Sequence, residues 1–78
     1  MFIYDSTRKL AVNLNTLTSL NVRSSRAYNV IEIHLPNHKY VYPMPTEADC
    51  TKLFWEIINA YESGDPKVIE ITTVAPEI

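Results

Sequence analysis

The stretch Thr46–Gly64 constrains this chain most, because it combines the period of one helix face with a start signal and a stop signal. Relative to Phe54, the residues Cys50, Leu53, Ile57, Ile58 and Tyr61 recur at the spacing of a single helical stripe, which turns that face toward a core. Thr46 is placed to accept from the backbone N–H of Asp49, and Asp49 to reach back toward the Thr46 N–H, a capping-box start after Pro43 and Pro45. Glu47 and Asp49 suit the positive end of the helix dipole. Gly64, the one glycine in the chain, takes the left-handed position that closes a helix, and Pro66 stops its continuation.

Outside the helix the period changes from 3.6 to 2. Leu10, Val12 and Leu14 alternate with Ala11 and Asn13, and from Tyr28 to Leu35 the residues Ile31, Ile33 and Leu35 alternate with Tyr28, Val30, Glu32 and His34. Phe2–Tyr4 reads as a first strand, joined to the second through the polar run Asp5–Lys9, and Leu17–Arg23 as a strand set off by Asn15-Thr16. Arg23–Arg26 forms a polar turn, and Pro36-Asn37-His38 a turn into Lys39–Tyr42. After the helix, Lys67–Val74 is β-branched and alternating, and pairs with its own sheet or with that of a second copy. The expected fold is α+β over a single domain, residues 1–78. It is an antiparallel β-meander of about four strands, one amphipathic helix packed on one sheet face and one C-terminal strand, in the order β-β-β-β-α-β.

A core this small works without visible staples. Cys50 is the only cysteine, so a disulfide within the chain is ruled out, and the expected setting is reducing and cytoplasmic, with Cys50 a buried free thiol. The start MFIYDS has neither a basic region nor a long apolar run, so no signal peptide or membrane span is expected. One helix covers one sheet face. The opposite face would carry Tyr28, Val30, Val68 and Val74 with a tyrosine from Tyr40 or Tyr42, which predicts a homo-oligomer, most simply a two-fold dimer.

Charge is divided along the chain. Met1–Tyr42 carries Arg8, Lys9, Arg23, Arg26 and Lys39 against Asp5 and Glu32, whereas Pro43–Ile78 carries Lys52 and Lys67 against seven carboxylates. The acidic half includes the helix, where Trp55 lies off the buried stripe among Thr51, Asn59 and Glu62. Its ring either folds over the helix shoulder onto a neighbouring strand or loop, or stands as an anchor for a partner. Trp55, Glu56, Asn59 and Glu62 form the candidate partner-binding set, suited to a basic surface on another protein. In the basic half, Arg23, Arg26, Tyr28 and Tyr40 mix cations with stacking rings and form the alternative candidate set, for a nucleotide or single-stranded nucleic acid at an oligomer interface. An acidic overall balance and the lack of a basic run argue against duplex DNA.

Catalysis has no visible chemistry. His34 and His38 flank a turn with no third ligand beside them, Ser24, Ser25 and Ser63 lack a nucleophile elbow, and a single glycine excludes a glycine-rich phosphate cradle. Glu47 and Asp49 are explained by capping. The expectation is a non-enzyme with no cofactor and no metal.

The start MFIYDSTRKLAVNLNTLTSLNV, the strand pair YNVIEIHLPNHKYVYP, the helix TEADCTKLFWEIINAYESG and a final strand resemble small, uncharacterised phage and bacterial α+β proteins. The points of likeness are Val12-Asn13-Leu14 and the capped helix. The resemblance implies a small module from phage or mobile elements that acts by stoichiometric binding, including inhibition of a host defence system or sequestration of its nucleotide signals. A structural subunit of a larger particle is the third reading. No site residue follows from the likeness.

Overall fold

The computed structural model describes residues 1–64 and 67–74. Five strands, β1 (Phe2–Asp5), β2 (Leu10–Asn13), β3 (Ser19–Ser24), β4 (Asn29–Leu35) and β5 (His38–Pro43), precede helix α1 (Glu47–Ser63) and strand β6 (Val68–Ile71). The expected α+β layout is present, with one more strand before the helix than the meander of about four.

The strands form two sheets rather than one, in the orders β2-β1-β6 and β3-β4-β5. The chain leaves the first sheet at Leu14, whose side chain is fully buried, turns through a Leu17 N–H to Leu14 C=O bond of 3.1 Å, and enters the second. Asn15-Thr16 therefore marks a crossover between sheets and not a hairpin. β1 is hydrogen-bonded on both sides, antiparallel to β2 and parallel to β6, so the C-terminal strand pairs within its own chain. It is shorter than the alternating run Lys67–Val74. Thr73 turns inward instead, and the Val74 N–H bonds to the Pro43 C=O at the end of β5.

Both sheets and the helix contribute to one core. Ile3 and Val12 come from β1 and β2, Ile69 and Ile71 from β6, Ile31, Ile33 and Tyr42 from β4 and β5, and Cys50, Leu53 and Ile57 from α1. The helix packs mainly on β3 and β4. Its buried stripe follows the expected period but takes in Ala60 as well, while Tyr61 sits at its margin with the hydroxyl 3.3 Å from the Leu17 N–H.

Helix α1 begins and ends where the signals place it. The Thr46 hydroxyl accepts from the Asp49 N–H at 3.2 Å, but the Asp49 carboxylate accepts a hydrogen bond from the Thr46 hydroxyl at 2.9 Å instead of reaching the Thr46 N–H. Aspartate is one methylene shorter than the glutamate of a full capping box, so it stops at the hydroxyl. Gly64 has φ 69° and its N–H caps the carbonyls of Ala60 and Tyr61. Pro66, expected to block continuation, lies outside the described residues.

The apolar face expected to drive self-association is not one face. Ile31 pairs with Tyr42 and Ile33 with Tyr40, and paired residues share a face, so both tyrosines lie on the helix side of their sheet. Val68 belongs to the other sheet. Tyr28 and Val74 line a cleft near the β5 end instead, and Val30, buried, pairs with Pro43 there.

Candidate functional site

The outer line of α1 is the most exposed aromatic site in the molecule. Trp55 is 55% exposed, and Asn59 and Glu62 follow it one and two turns along the same exposed side. More than half of the indole is open to solvent. It packs edge-on against Phe54, ring centroids 5.3 Å apart and planes at 86°, and Phe54 in turn packs on the core. The ring is thus held from one side by Phe54 and open to solvent on the other.

Glu56 departs from this line. It sits a quarter turn around the helix and lines a groove between α1 and β6 together with Asp49, Lys52 and Leu53, with Met44 and Pro45 at one end and Glu70, Ile71 and Thr72 on the far wall. The groove has a volume of about 290 Å³. The structure thus brings three of the four helix residues to one stripe and places Glu56 on the adjoining groove. The far wall was not legible from the helix pattern, because it depends on β6 pairing with β1 across more than sixty positions of sequence. The only local trace was the alternation that sets Glu70 outward between Ile69 and Ile71.

The alternative set is dispersed. Arg26 and Tyr28 line one cleft of about 370 Å³ with Pro43, Pro45 and Val74. Arg23 lies elsewhere, on the outer face of the second sheet, donating to Glu32 at 3.3 Å. Tyr40 is on the inner face, packed against the core and edge-on to His38 with centroids 4.3 Å apart.

Two carboxylates organise the charges of the basic half. Glu32, only 7% exposed on the outer sheet face, accepts from the Asn21 amide at 3.0 Å and from Arg23, with Lys39 Nζ at 3.9 Å and His34 Nε2 at 3.8 Å. The Asn21 hydrogen bond is the main influence that lowers its pKa. Burial opposes it, and Arg23 and Lys39 reinforce it. His34 and His38 consequently serve opposite faces of the sheet. Asp5 is fully buried and accepts from the Thr73 hydroxyl at 3.0 Å, from the Thr7 N–H at 3.0 Å and from the Arg8 guanidinium. Burial alone would raise its pKa, but the hydrogen bonds from Arg8 and Thr73 and the Arg8 charge outweigh it and hold the carboxyl below its ordinary value. Arg8 also lies over the Tyr42 ring, 4.9 Å from its centroid, which links the first sheet's turn to the second sheet. Burial pushes the Tyr42 hydroxyl up to about 12.

Cys50 is fully buried, and burial, followed by the charges of Asp49 and Glu47, pushes its thiol pKa up. That is the environment of a packing residue, in which the reactive thiolate is disfavoured. The Ser24 hydroxyl lies 3.0 Å from Asn29 Oδ1 and 3.1 Å from Glu47 Oε2, so it ties the β3–β4 turn to the helix start. Among the described residues no group of three potential metal ligands converges, and no helix is long and apolar enough to cross a membrane. Compared with known proteins, the chain matches no family model, no curated protein and no solved structure.

Proposed function

We propose that this chain is a non-enzymatic binding protein that acts stoichiometrically on a partner protein through the outer line of α1. The observation that carries this reading is Trp55, 55% exposed and seated on Phe54, with Asn59 and Glu62 continuing the same side and Glu56 beside it. Tryptophan is the residue most often found at the energetic centre of an interface, and acidic neighbours favour encounter with a basic partner surface. The resemblance to small phage and bacterial proteins extends the reading to inhibition of a host defence protein, and the buried lone thiol to a cytoplasmic setting.

Self-association is part of the same proposal. The outer face of the first sheet carries Phe2, 42% exposed, Val68, 65% exposed, and Tyr4, with Glu70 and Asn13 among them, and a second copy seated there would remove ring and methyl groups from water. The nucleotide reading retains only the Arg26–Tyr28 cleft of its four residues, because Arg23 is engaged with Glu32 and Tyr40 packs on the core.

Trp55→Ala tests the helix-face reading. The variant is expected to lose less than about 1 kcal/mol of unfolding free energy, as an exposed ring with one aromatic neighbour should. It should no longer retain the partner that co-purifies with the unmodified chain from host lysate. A variant that unfolds readily yet, where folded, keeps its partner would show that Trp55 is structural and sink the proposal.

A further inference from the structure

The outer edge of β6 is open beside a concavity of the molecule. β6 ends the order β2-β1-β6, so among the described residues one of its sides has no strand partner. The pairing with β1 fixes which groups are free. The Phe2 N–H bonds to the Lys67 C=O and the Ser6 N–H to the Ile71 C=O, each at 2.9 Å. In a parallel ladder only alternate residues face a given neighbour, so positions 67, 69 and 71 face β1, and Val68 and Glu70 direct their N–H and C=O groups away from it.

That edge borders the groove beside α1. Met44, Leu53 and Ile71 supply apolar surface, and Asp49, Glu56 and Glu70 outnumber Lys52. Among the described residues none of these three carboxylates lies within ion-pairing distance of a lysine or arginine, in contrast to Asp5 and Glu32. A strand's worth of unpaired backbone next to an acidic, partly apolar groove is the arrangement in which an extended peptide adds to a sheet, main-chain bonds giving affinity and the groove giving selectivity. Charge decides the occupant. A second copy pairing edge to edge would bring its own Glu70, with Asp49 and Glu56 behind it, against the same acids, and like charges placed opposite one another destabilise a strand pair.

We propose that the β6 edge and its groove accept an extended, lysine- or arginine-rich segment of the partner protein as an added strand. This rests on the protein-binding reading above and names the mode and chemistry of the contact. The strand would seat apolar side chains over Met44, Leu53 and Ile71 and, on its alternate positions, present cations to Glu70, with Glu56 adding negative charge beside the groove.

The test uses the full chain, isotopically labelled, titrated with a peptide of alternating lysine and valine about eight residues long. Slowed amide exchange is expected at Val68 and Glu70 on saturation. Of two analogues methylated at alternate backbone nitrogens, one in each phase, one should bind like the parent and the other at least about tenfold more weakly, since only one phase faces the edge. The charge reversals Glu56→Lys and Glu70→Lys together should also weaken binding at least about tenfold, and replacing the peptide's lysines by glutamate should abolish it. Free exchange at Val68 and Glu70 in the presence of saturating peptide, or indifference to methylation in both phases, would overturn the proposal. So would protection of these amides that grows with protein concentration without peptide, which would assign the edge to a second copy. Peptide shifts confined to Trp55 and Asn59 would overturn the strand addition and leave the helix-face reading standing. Failure of that reading is seen separately, in a Trp55→Ala chain that keeps its partner.

Discussion

Asp5→Ala is expected to lower the unfolding free energy by about 2–4 kcal/mol, because it removes the acceptor at the centre of a buried hydrogen-bond cluster and leaves its donors without partners. Those donors come from two places in the chain: the β1–β2 turn, with the Thr7 and Arg8 N–H groups and the Arg8 guanidinium, and the Thr73 hydroxyl beyond β6. Thr73 is itself buried, so its hydroxyl loses its only route to an acceptor without regaining water. Arg8 is partly exposed and can turn outward, which is why the loss stops short of that for a doubly buried ion pair. The charge has its own signature. The folded-state pKa of Asp5 lies below the ordinary value of 3.8, so ionised Asp5 stabilises the fold fully above that pH. The contribution is lost as pH falls from there through the lowered folded value. Urea titrations at neutral and acid pH read both effects. The difference between the unmodified chain and Asp5→Asn should shrink as pH drops below 3.8, and a constant difference would show that the charge is not what Asp5 contributes.

Ile57→Ala should cost about 2–5 kcal/mol, the range for deleting a buried branched side chain into a core that only partly collapses. Ile57 is fully buried in the cluster shared by α1 and both sheets, so a cavity there loosens all three. A domain of this size has little stability in reserve, and the upper end of that range would leave much of the chain unfolded at room temperature. Thermal and urea unfolding check it. The comparison with Trp55, two positions earlier on the same helix, is the informative part. A loss at Ile57 no larger than at Trp55 would mean that the buried stripe is assigned to the wrong side.

The helix was legible because its information is local. Thr46, Asp49 and Gly64 mark the ends within a few residues of the groups they satisfy, and a period of 3.6 over four turns leaves few alternatives. Strand positions were legible for the same reason, from alternation. Sheet membership was not, since the pairing of β6 with β1 lies beyond any local pattern and decides both the split into two sheets and the groove beside α1. The face assigned to Tyr40 and Tyr42 failed in a related way. Alternation says which residues of a strand lie together but not which face meets the helix, and the register that places Tyr42 opposite Ile31 settles that. Of the candidate residues, Trp55, Asn59 and Glu62 could be grouped from helical period alone. Arg23 could not be separated from Arg26 without knowing that Glu32 lies across the strand.

Native mass spectrometry of the chain taken gently from host lysate tests the central claim most directly, since copy number and bound mass are read from the same ions. The account predicts two copies of the chain in a stoichiometric complex with a protein partner. A homo-oligomer carrying only a small anionic ligand would contradict it and return attention to the Arg26–Tyr28 cleft.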